Sequence, residues 1–341
     1  MIEIPETLKQ LLKQIQHSTI VIHRNPDGDA LGSGLALQQY LQKQSIKVDL
    51  VSPNEIPNYL KWLPGVNDIL IYKEQSEKIQ EILKNTNLIF TLDFNDLSRV
   101  GKDFAKYLQS LKDQTFIMID HHLEPTDYAK FKFSDSSKSS TGEMVFDFIT
   151  ALGGQNFIDK DIATCLYTGI MTDTGSFKFP NTTPHTMCIA ADLMKRGINH
   201  NEIQIKIYDS FSLDKLHLLG EALNKLVFLP QYKTAYIALS QSDLKKHHYQ
   251  KGDTEGFVNY GLSLKDADFA VMFLENEQEG VRISFRSKGN FPANEFAKKY
   301  FNGGGHKNAA GGRTQKSLDE TVALFLEKLP EFITELQSTN D

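Results

Sequence analysis

The chain has 341 residues, of which 40% are hydrophobic and 23% are charged, as in ordinary globular proteins rather than disordered ones. Its formal net charge of −6 argues against the broadly basic surface that binds long nucleic acids. The length predicts two domains with a sizeable core. The two cysteines, Cys165 and Cys188, exclude a disulfide framework and are typical of a reducing compartment.

The N-terminal segment MIEIPETLKQLLKQIQ is amphipathic and lacks the apolar stretch and cleavage site of a signal peptide. The sequence has no run of about 18 apolar residues that would predict a membrane span. We therefore expect a cytoplasmic protein that does not associate with membranes.

The first half alternates short apolar strands with helical patterns. Strands are predicted at 18–23, 46–51, 87–93 and 115–120, and helices at 31–42, 142–152 and 161–171. This alternation is typical of a parallel sheet with helices on both faces, and near-continuous apolar strands fit burial on both sides. The sequence thus predicts an α/β domain over residues 1–198.

The pattern changes after about Gly197. Residues 199–228 predict a helical connection, residues 234–239 a strand, and residues 269–274 with 281–286 a hairpin closed by the polar turn ENEQEG. A helix at 293–301, a glycine-rich loop at 303–312 and a closing helix at 317–336 follow. Pro330 is expected to kink or split that last helix. We interpret residues 229–341 as a smaller α+β domain.

Candidate metal ligands follow three of the predicted strands and one predicted helix. Ligands of an open parallel sheet bind just beyond the carboxyl ends of its strands, so these side chains are expected to converge. They are His23, Asp27 and Asp29 after the first strand, Asp93 after the third, Asp120, His121 and His122 after the fourth, and Asp173 after the helix at 161–171.

Each of these residues alone has a structural alternative. Asp27 and Asp29 suit a turn, Asp93 and Asp173 suit helix caps, and a histidine pair is often part of a core. Together, however, the carboxylates would repel one another unless cations neutralised them. Mixed carboxylate and imidazole ligands suit Mn²⁺ or a similar divalent ion, and the number of ligands suits two ions that share one carboxylate. Such pairs of ions commonly hydrolyse phosphoesters.

Five motifs resemble, in order and spacing, those of the DHH phosphoesterase family, which takes its name from the sequence at 120–122. The segment HRNPDGDALGS at 23–33 resembles the first motif, TLDFNDLSRVG at 91–101 the second, and GIMTDTGSFKF at 169–179 the fourth. The segment GGGHKNAAGG at 303–312 resembles the glycine-rich signature of the DHH-associated C-terminal domain. The resemblance therefore covers nearly the whole chain.

The resemblance implies two metal ions, with Mn²⁺ favoured over Mg²⁺ or Co²⁺. It assigns His23, Asp27 and Asp93 to one ion, and Asp29, Asp93, His121 and Asp173 to the other, so that Asp93 bridges. It also implies that Asp120 orients an imidazole, and that His122 lies against the substrate phosphate or the attacking water.

The glycine-rich signature is expected to hold the far phosphate or nucleotide, because glycines let backbone N–H groups approach an anion. Its alternative is a helix terminus. Arginine binds phosphate well, and Arg99 and Arg286 lie within or beside motifs, although Arg99 also suits a salt bridge. Arg282 suits phosphate binding and a surface ion pair equally, and Phe177 suits base stacking and core packing equally. The expected substrate contacts are Arg99, Arg286, Ser287, Gly303, Gly304, Gly305 and His306.

The resemblance implies hydrolysis of oligonucleotides of two to five nucleotides to nucleoside 5′-monophosphates, and of 3′-phosphoadenosine 5′-phosphate to AMP, with substrate bound between the domains. The partners would be short RNA or DNA and nucleoside bisphosphates, without long nucleic acid or membrane. A homodimer is left open. The alternatives are a linear or cyclic dinucleotide phosphodiesterase and a non-catalytic nucleotide-binding protein on the same scaffold.

Overall fold

The computed structural model describes residues 2–276 and 280–338, and the chain divides into two compact units between Ser210 and Phe211. The N-terminal unit contains α1 (Glu6–Gln14), β1 (His17–Ile22), α2 (Gly28–Lys43), β2 (Lys47–Ser52), β3 (Leu70–Ile71), α3 (Tyr72–Lys84), β4 (Leu88–Leu92), α4 (Lys102–Ser110), β5 (Thr115–Asp120), β6 (Phe131–Ser134), α5 (Thr141–Ala151), α6 (Lys160–Asp173), α7 (Pro184–Lys195) and α8 (His200–Tyr208).

The N-terminal sheet has the order β3-β2-β1-β4-β5-β6, and every neighbouring pair of strands is parallel. All four predicted strands are present, so the predicted α/β class is confirmed. The short edge strands β3 and β6 were not predicted. The order places β1, β4 and β5 side by side, so their carboxyl ends share one edge of the sheet.

Helices cover both faces of this sheet. One face packs against α2, α5 and α6, whose apolar residues join those of the strands in the largest core cluster. The other face packs Val21, Val51 and Ile89 against residues of α3 and α4, including Ile79 and Phe104. The strands are therefore buried on both sides, as their apolar sequences require.

Helices α2 and α6 approach each other closely through glycine. A Cβ atom added at Gly32 would lie 2.4 Å from the carbonyl oxygen of Cys165 and 2.9 Å from the backbone nitrogen of Gly169. Both obstacles are backbone atoms of the facing helix, which cannot rotate away. The contact between the two helices therefore depends on the missing side chain of Gly32.

The C-terminal unit contains α9 (Leu213–Asn224), β7 (Val227–Leu229), β8 (Thr234–Leu239), α10 (Gln241–Lys246), α11 (Val258–Leu262), β9 (Phe269–Asn276), β10 (Gly280–Ser287), α12 (Ala293–Tyr300), β11 (Gly304–His306), β12 (Ala309–Thr314) and α13 (Leu318–Ser338). Its sheet has the order β11-β12-β10-β9-β8-β7, with β8 and β9 parallel and the other pairs antiparallel. One face packs against α12 and α13, and the other packs against α9, α10 and α11. The predicted α+β class is confirmed.

Three local predictions differ in part from the structure. The connection is helical, as predicted, but it consists of the two helices α8 and α9, because Ser212 accepts a hydrogen bond from the backbone nitrogen of Lys215 and starts a new helix. The glycine-rich segment is a short hairpin, β11–β12, rather than a loop. Pro330 lies inside the continuous helix α13, so the expected split is wrong, whereas the expected kink stays a prediction. Residues 277–279 of the predicted hairpin turn lie outside the described residues.

Among the described residues, no helix has the length and the apolar character needed to cross a bilayer.

The α2–α6 contact gives a stability prediction. Replacing Gly32 with alanine forces two packed backbones apart, so Gly32→Ala should lower the free energy of unfolding by about 1–3 kcal/mol. Scanning calorimetry measures the change. The matched control is Gly220→Ala in α9, where an added Cβ meets no atom within 4 Å, so better helix propensity should leave stability unchanged or higher. Equal stability of Gly32→Ala and wild type would contradict the proposed packing role.

Candidate metal centre and arginine face

The first group of candidate ligands lies where β1 and β4 end. His23 Nε2 lies 3.3 Å from Asp93 Oδ2 and 3.8 Å from Asp27 Oδ1. His23 Nδ1 lies 3.0 Å from the carbonyl oxygen of Arg24. Because a carbonyl only accepts hydrogen bonds, Nδ1 carries a proton, and Nε2 faces the carboxylates, where a metal ion would take the place of its proton. The resulting tautomer is the one that a metal-binding histidine requires.

The second group lies between β5, α2 and α6. His121 Nε2 lies 3.1 Å from Asp173 Oδ2, 3.7 Å from Asp93 Oδ1 and 3.9 Å from Asp29 Oδ2. Its Nδ1 lies 3.4 Å from the carbonyl oxygen of Lys138, again leaving Nε2 for a ligand. Within each of the sets His23–Asp27–Asp93 and Asp29–His121–Asp173, the possible ligand atoms lie within 4.8 Å of one another.

Asp93 joins the two groups. Its Oδ2 faces His23 and its Oδ1 faces His121, so one carboxylate presents a different oxygen to each histidine. The residue adopts a left-handed φ of 66°, a conformation that aspartate tolerates better than most residues. The hydroxyl of Thr141 donates a hydrogen bond of 2.9 Å to Oδ1, which fixes the carboxylate further.

The N-terminus of α5 holds Asp29. The backbone nitrogens of Thr141 and Gly142 donate to its two oxygens at 2.6 and 2.8 Å. The side chain is buried, and the helix N-terminus stabilises its negative charge. These two donors were not predicted from the sequence. Their signal was the sequence Ser140-Thr141-Gly142-Glu143, a capping pattern that begins a helix.

Of the aspartates with a structural alternative, one caps a helix and two do not. Asp27 does cap a helix, because its Oδ1 accepts the backbone N–H groups of Asp29 and Ala30 at the start of α2. Asp93 follows β4 without capping a helix, and Asp173 is the last residue of α6 rather than its N-cap. A carboxylate at the C-terminal end of a helix is disfavoured by the helix dipole. A neighbouring positive charge would therefore stabilise the carboxylate of Asp173.

The electrostatics of the four carboxylates favour a bound cation. Burial and the charges of Asp93 and Asp173 raise the pKa of Asp29 well above its usual range. Burial also raises the pKa of Asp173 to about 6, although His121 opposes the shift. Burial disfavours the charged form of His23, but the neighbouring carboxylates of Asp27 and Asp93 outweigh it and raise its pKa to about 10. Divalent ions would replace these protons, so the donor set fits the expected metal ions.

Asp120 and His122 form a separate pair beside the two ligand groups. Asp120 is fully buried, and its Oδ1 accepts a hydrogen bond of 2.7 Å from His122 Nδ1. Its Oδ2 accepts the backbone N–H of His122 at 3.1 Å. His122 Nδ1 also lies 3.8 Å from Asp93 Oδ1. The imidazole that Asp120 orients is therefore that of His122.

The predicted contact Arg99 is exposed and follows β4. Its carbonyl oxygen accepts the backbone N–H of Arg24 at 2.9 Å, which ties the first and second motifs together. Phe177 is partly buried, with its ring centroid 5.7 Å from that of Tyr167, and packs at the edge of the core. This packing favours its structural alternative.

In the C-terminal unit, the register of the strands gathers basic side chains on one face of the sheet. Arg282, Ser284 and Arg286 alternate with the buried Val281, Ile283 and Phe285 along β10. Arg282 pairs with Arg313 on β12, and Arg286 pairs with Ala309, which in turn pairs with His306. Directly opposed residues share a face. We call Arg282, Arg286, Arg313 and His306 the arginine face.

The glycines of the hairpin β11–β12 have two different roles. A Cβ atom at Gly303 would lie 2.1 Å from the carbonyl oxygen of Gly311, and one at Gly305 would lie 2.5 Å from that of Ala309. Packing of the hairpin therefore requires glycine at positions 303 and 305. Gly304 has no atom within 4 Å of an added Cβ, and its partner Gly311 has only one, at 3.8 Å. This open pair lies in register with Ser284 on the arginine face.

Ser287 ends β10 and is buried. Its hydroxyl donates to the carbonyl oxygen of Phe291 at 2.7 Å and accepts from Asn308 Nδ2 at 2.8 Å. These bonds fasten the turn of the hairpin to the end of β10. Its predicted contact with substrate stays a prediction.

Comparison with known proteins identifies the class of protein. The N-terminal domain of the DHH family matches residues 17–170, and the DHHA1 domain matches residues 231–338. The chain belongs to the DHH family of phosphoesterases, which are metal-dependent hydrolases.

Two relatives share a specific name. The bifunctional oligoribonuclease and PAP phosphatase NrnA of Thermus thermophilus is 30% identical over 92% of this chain and 90% of its own length. A probable bifunctional oligoribonuclease and PAP phosphatase NrnA of Streptococcus mutans is 31% identical, over 94% and 97%. The crystal structure of an exopolyphosphatase-related protein from Bacteroides fragilis is similar to this structure, with a TM-score of 0.92. Its sequence is 36% identical, and the match covers 97% of both chains.

The shared position of Asp93 gives a prediction about metal binding. Isothermal titration of the metal-free protein should detect two Mn²⁺ ions per wild-type chain. Asp173→Asn should still bind one ion. Asp93→Asn should weaken the binding of both ions by at least about tenfold, because each ligand group loses a carboxylate ligand. The control is Asp49→Asn, which breaks a 2.7 Å pair with His17 away from the site and should bind two ions. Two unaltered sites in Asp93→Asn would refute the assignment.

Proposed function

We propose that this DHH phosphoesterase hydrolyses very short oligonucleotides to nucleoside 5′-monophosphates and 3′-phosphoadenosine 5′-phosphate to AMP. The proposal rests mainly on the position of the Asp93 carboxylate, which directs one oxygen to each of the two ligand groups. Two ions that share a carboxylate suit phosphoester hydrolysis. The substrate class is supported by the names of the relatives that are 30% and 31% identical over most of both chains.

The chain's own residues would hold the ions in two groups. His23, Asp27 and Asp93 would bind one ion, and Asp29, Asp93, His121 and Asp173 the other, with Mn²⁺ the favoured metal. When bound, the ions supply positive charge for the phosphoryl oxygens and lower the pKa of a water molecule. Thr141 keeps the shared carboxylate oriented through its 2.9 Å hydrogen bond.

His122 is the proposed group for proton transfer. Asp120 accepts from its Nδ1, so the neutral ring carries its proton there and keeps a lone pair on Nε2. When Nε2 is protonated, Asp120 stabilises the resulting positive charge. The ring can therefore accept a proton at Nε2 from water and return it to the departing oxygen.

The arginine face is proposed to bind the part of the substrate that does not react. Arg286 offers a planar guanidinium suited to a phosphate or carboxylate, and one of its nitrogens is held by a 2.9 Å bond to the carbonyl oxygen of Phe285. The open pair Gly304 and Gly311 leaves room for a ligand to approach the backbone. Gly311 pairs with Ser284, which lies between Arg282 and Arg286 on β10. His306 and Arg313 add donors on the same face.

A substrate panel tests the proposal. The purified chain with Mn²⁺ should release nucleoside 5′-monophosphates from RNA of two to five nucleotides, and AMP from 3′-phosphoadenosine 5′-phosphate. Chromatographic product analysis measures both reactions. Turnover of long RNA should be at least about tenfold slower, because a chain with a net charge of −6 has no broadly basic surface to bind it. Turnover of pyrophosphate should be slower by at least the same factor.

Inorganic polyphosphate belongs in the same panel, because a protein 36% identical to this chain is described as exopolyphosphatase-related. Faster turnover of polyphosphate than of short RNA would replace the proposed substrate class. Faster turnover of linear or cyclic dinucleotides than of longer oligomers would narrow the proposed substrate class to dinucleotides. The absence of turnover with every substrate, despite bound Mn²⁺, would favour a nucleotide-binding protein without catalysis.

A second test concerns Arg286. Arg286→Ala should lower kcat/KM for 3′-phosphoadenosine 5′-phosphate about 10–100-fold, because a charge-assisted hydrogen bond contributes about 1.5–3 kcal/mol. Turnover of bis(p-nitrophenyl) phosphate, which has no second phosphate, should change less than about threefold. Steady-state kinetics on both substrates measures the ratio. An equal loss on both would exclude the proposed role in binding the far phosphate.

A further inference from the structure

A buried polar network adjoins the metal centre. The side chain of Glu143 is 1% exposed, and its Oε2 accepts hydrogen bonds from Ser139 Oγ at 2.6 Å and Thr186 Oγ1 at 2.7 Å. Its Oε1 lies 3.3 Å from Lys138 Nζ. Asp147 accepts from Lys138 Nζ at 2.7 Å and pairs with His185 Nε2 at 2.8 Å. We call Lys138, Ser139, Glu143, Asp147, His185 and Thr186 the Glu143 network.

The Glu143 network is not suited to a third metal ion. Possible ligand atoms of Glu143, Asp147 and His185 do lie within 4.8 Å of one another. However, the ammonium group of Lys138 already contacts both carboxylates and neutralises them. An additional divalent ion would be repelled by this positive charge. The network therefore has a fixed internal cation and acts by holding its members in place.

The segment fixed by this network touches both ligand groups of the metal centre. The carbonyl oxygen of Lys138 lies 3.4 Å from His121 Nδ1. The backbone nitrogens of Thr141 and Gly142 donate to Asp29, and the hydroxyl of Thr141 donates to Asp93. Movement of residues 138–142 would therefore shift the donors or acceptors of three proposed ligands together.

Capping of α5 does not explain the carboxylate of Glu143. Ser140 already caps the helix by accepting the backbone N–H of Glu143 at 3.0 Å. A glutamate at this position commonly bonds back to the N-cap nitrogen, but Glu143 instead binds Ser139, Lys138 and Thr186 of α7. Burial of a carboxylate destabilises the folded protein unless the carboxylate is well paired. The residue thus links α5, α7 and the segment before α5.

We infer that Glu143 is a positioning residue for the metal centre, which it supports by fixing residues 138–142 against His121, Asp29 and Asp93. The inference rests on the metal centre of the proposed function. Outer partners of metal ligands commonly contribute 10–100-fold to metal affinity. Loss of the Glu143 charge should therefore weaken metal binding although Glu143 is not itself a ligand.

The variant Glu143→Gln tests this inference. Isothermal titration of the metal-free full-length variant with Mn²⁺ should give a Kd about 10–100-fold higher than that of wild type. Where turnover is measurable, saturating Mn²⁺ should restore kcat to within a few-fold, because all ligands remain. Since Mn²⁺ binding is measured without substrate, failure of the proposed substrate class would leave this result interpretable.

The matched control is Asp243→Asn in the C-terminal unit. Asp243 is also buried, accepts a hydrogen bond from a lysine, Lys225, at 2.5 Å, and belongs to a helix cap. The control should lose thermal stability while binding Mn²⁺ like wild type. If Glu143→Gln loses stability but keeps the wild-type Mn²⁺ affinity, Glu143 has only a structural role and the inference is overturned.

A milder variant covers the case in which Glu143→Gln does not fold. Thr186→Val removes the 2.7 Å hydrogen bond that α7 donates to Glu143, together with the capping bonds between Thr186 Oγ1 and Thr183 at the start of α7. Its Mn²⁺ affinity should fall about 2–10-fold, with less loss of stability than Glu143→Gln shows. A folded Thr186→Val chain with unchanged Mn²⁺ affinity would contradict the inference.

Discussion

The mutual repulsion of four carboxylates at one edge of a parallel sheet is the constraint on which the N-terminal unit depends. Asp27, Asp29, Asp93 and Asp173 are brought together by β1, β4, α2 and α6. Burial and neighbouring charge raise the pKa values of Asp29 and Asp173, whereas nearby histidines lower that of Asp93 despite its burial. Such opposed shifts among adjacent acids indicate a site built for added positive charge.

Close helix packing makes room for this arrangement. A Cβ atom at Gly169 of α6 would lie 2.8 Å from Asp29 Oδ1, and one at Gly142 of α5 would lie 3.1 Å from the same oxygen. Larger residues at either position would displace the carboxylate from the N-terminus of α5. The glycines of α5 and α6 therefore act on the candidate metal centre through the space they leave around Asp29. This links helix packing to the chemistry of the site.

The strands that position the site were predictable because they are apolar, β-branched and bounded by polar residues. The edge strands β3 and β6 were not, since β3 has two residues and β6 (FKFS) is half polar. The convergence of His23, Asp93 and His121 followed from the parallel arrangement of the strands. The capping pattern before α5 indicates that Thr141 and Gly142 have free backbone donors, but their bonds to Asp29 cross 112 and 113 positions of sequence, so no local pattern identifies the acceptor. The same holds for the link from Glu143 to Thr186.

The acidity of the chain and a phosphate substrate are compatible because charge acts locally. Two bound divalent ions would add four positive charges and change the formal net charge from −6 to −2. In the C-terminal unit, Arg282 and Arg313 oppose each other on neighbouring strands, an arrangement that a bound anion would stabilise. Salt screens charges beyond about 8 Å at physiological ionic strength, so groups within a site outweigh distant acidic residues. Local positive charge can therefore bind small phosphate compounds on an acidic protein, whereas long nucleic acids need an extended basic surface.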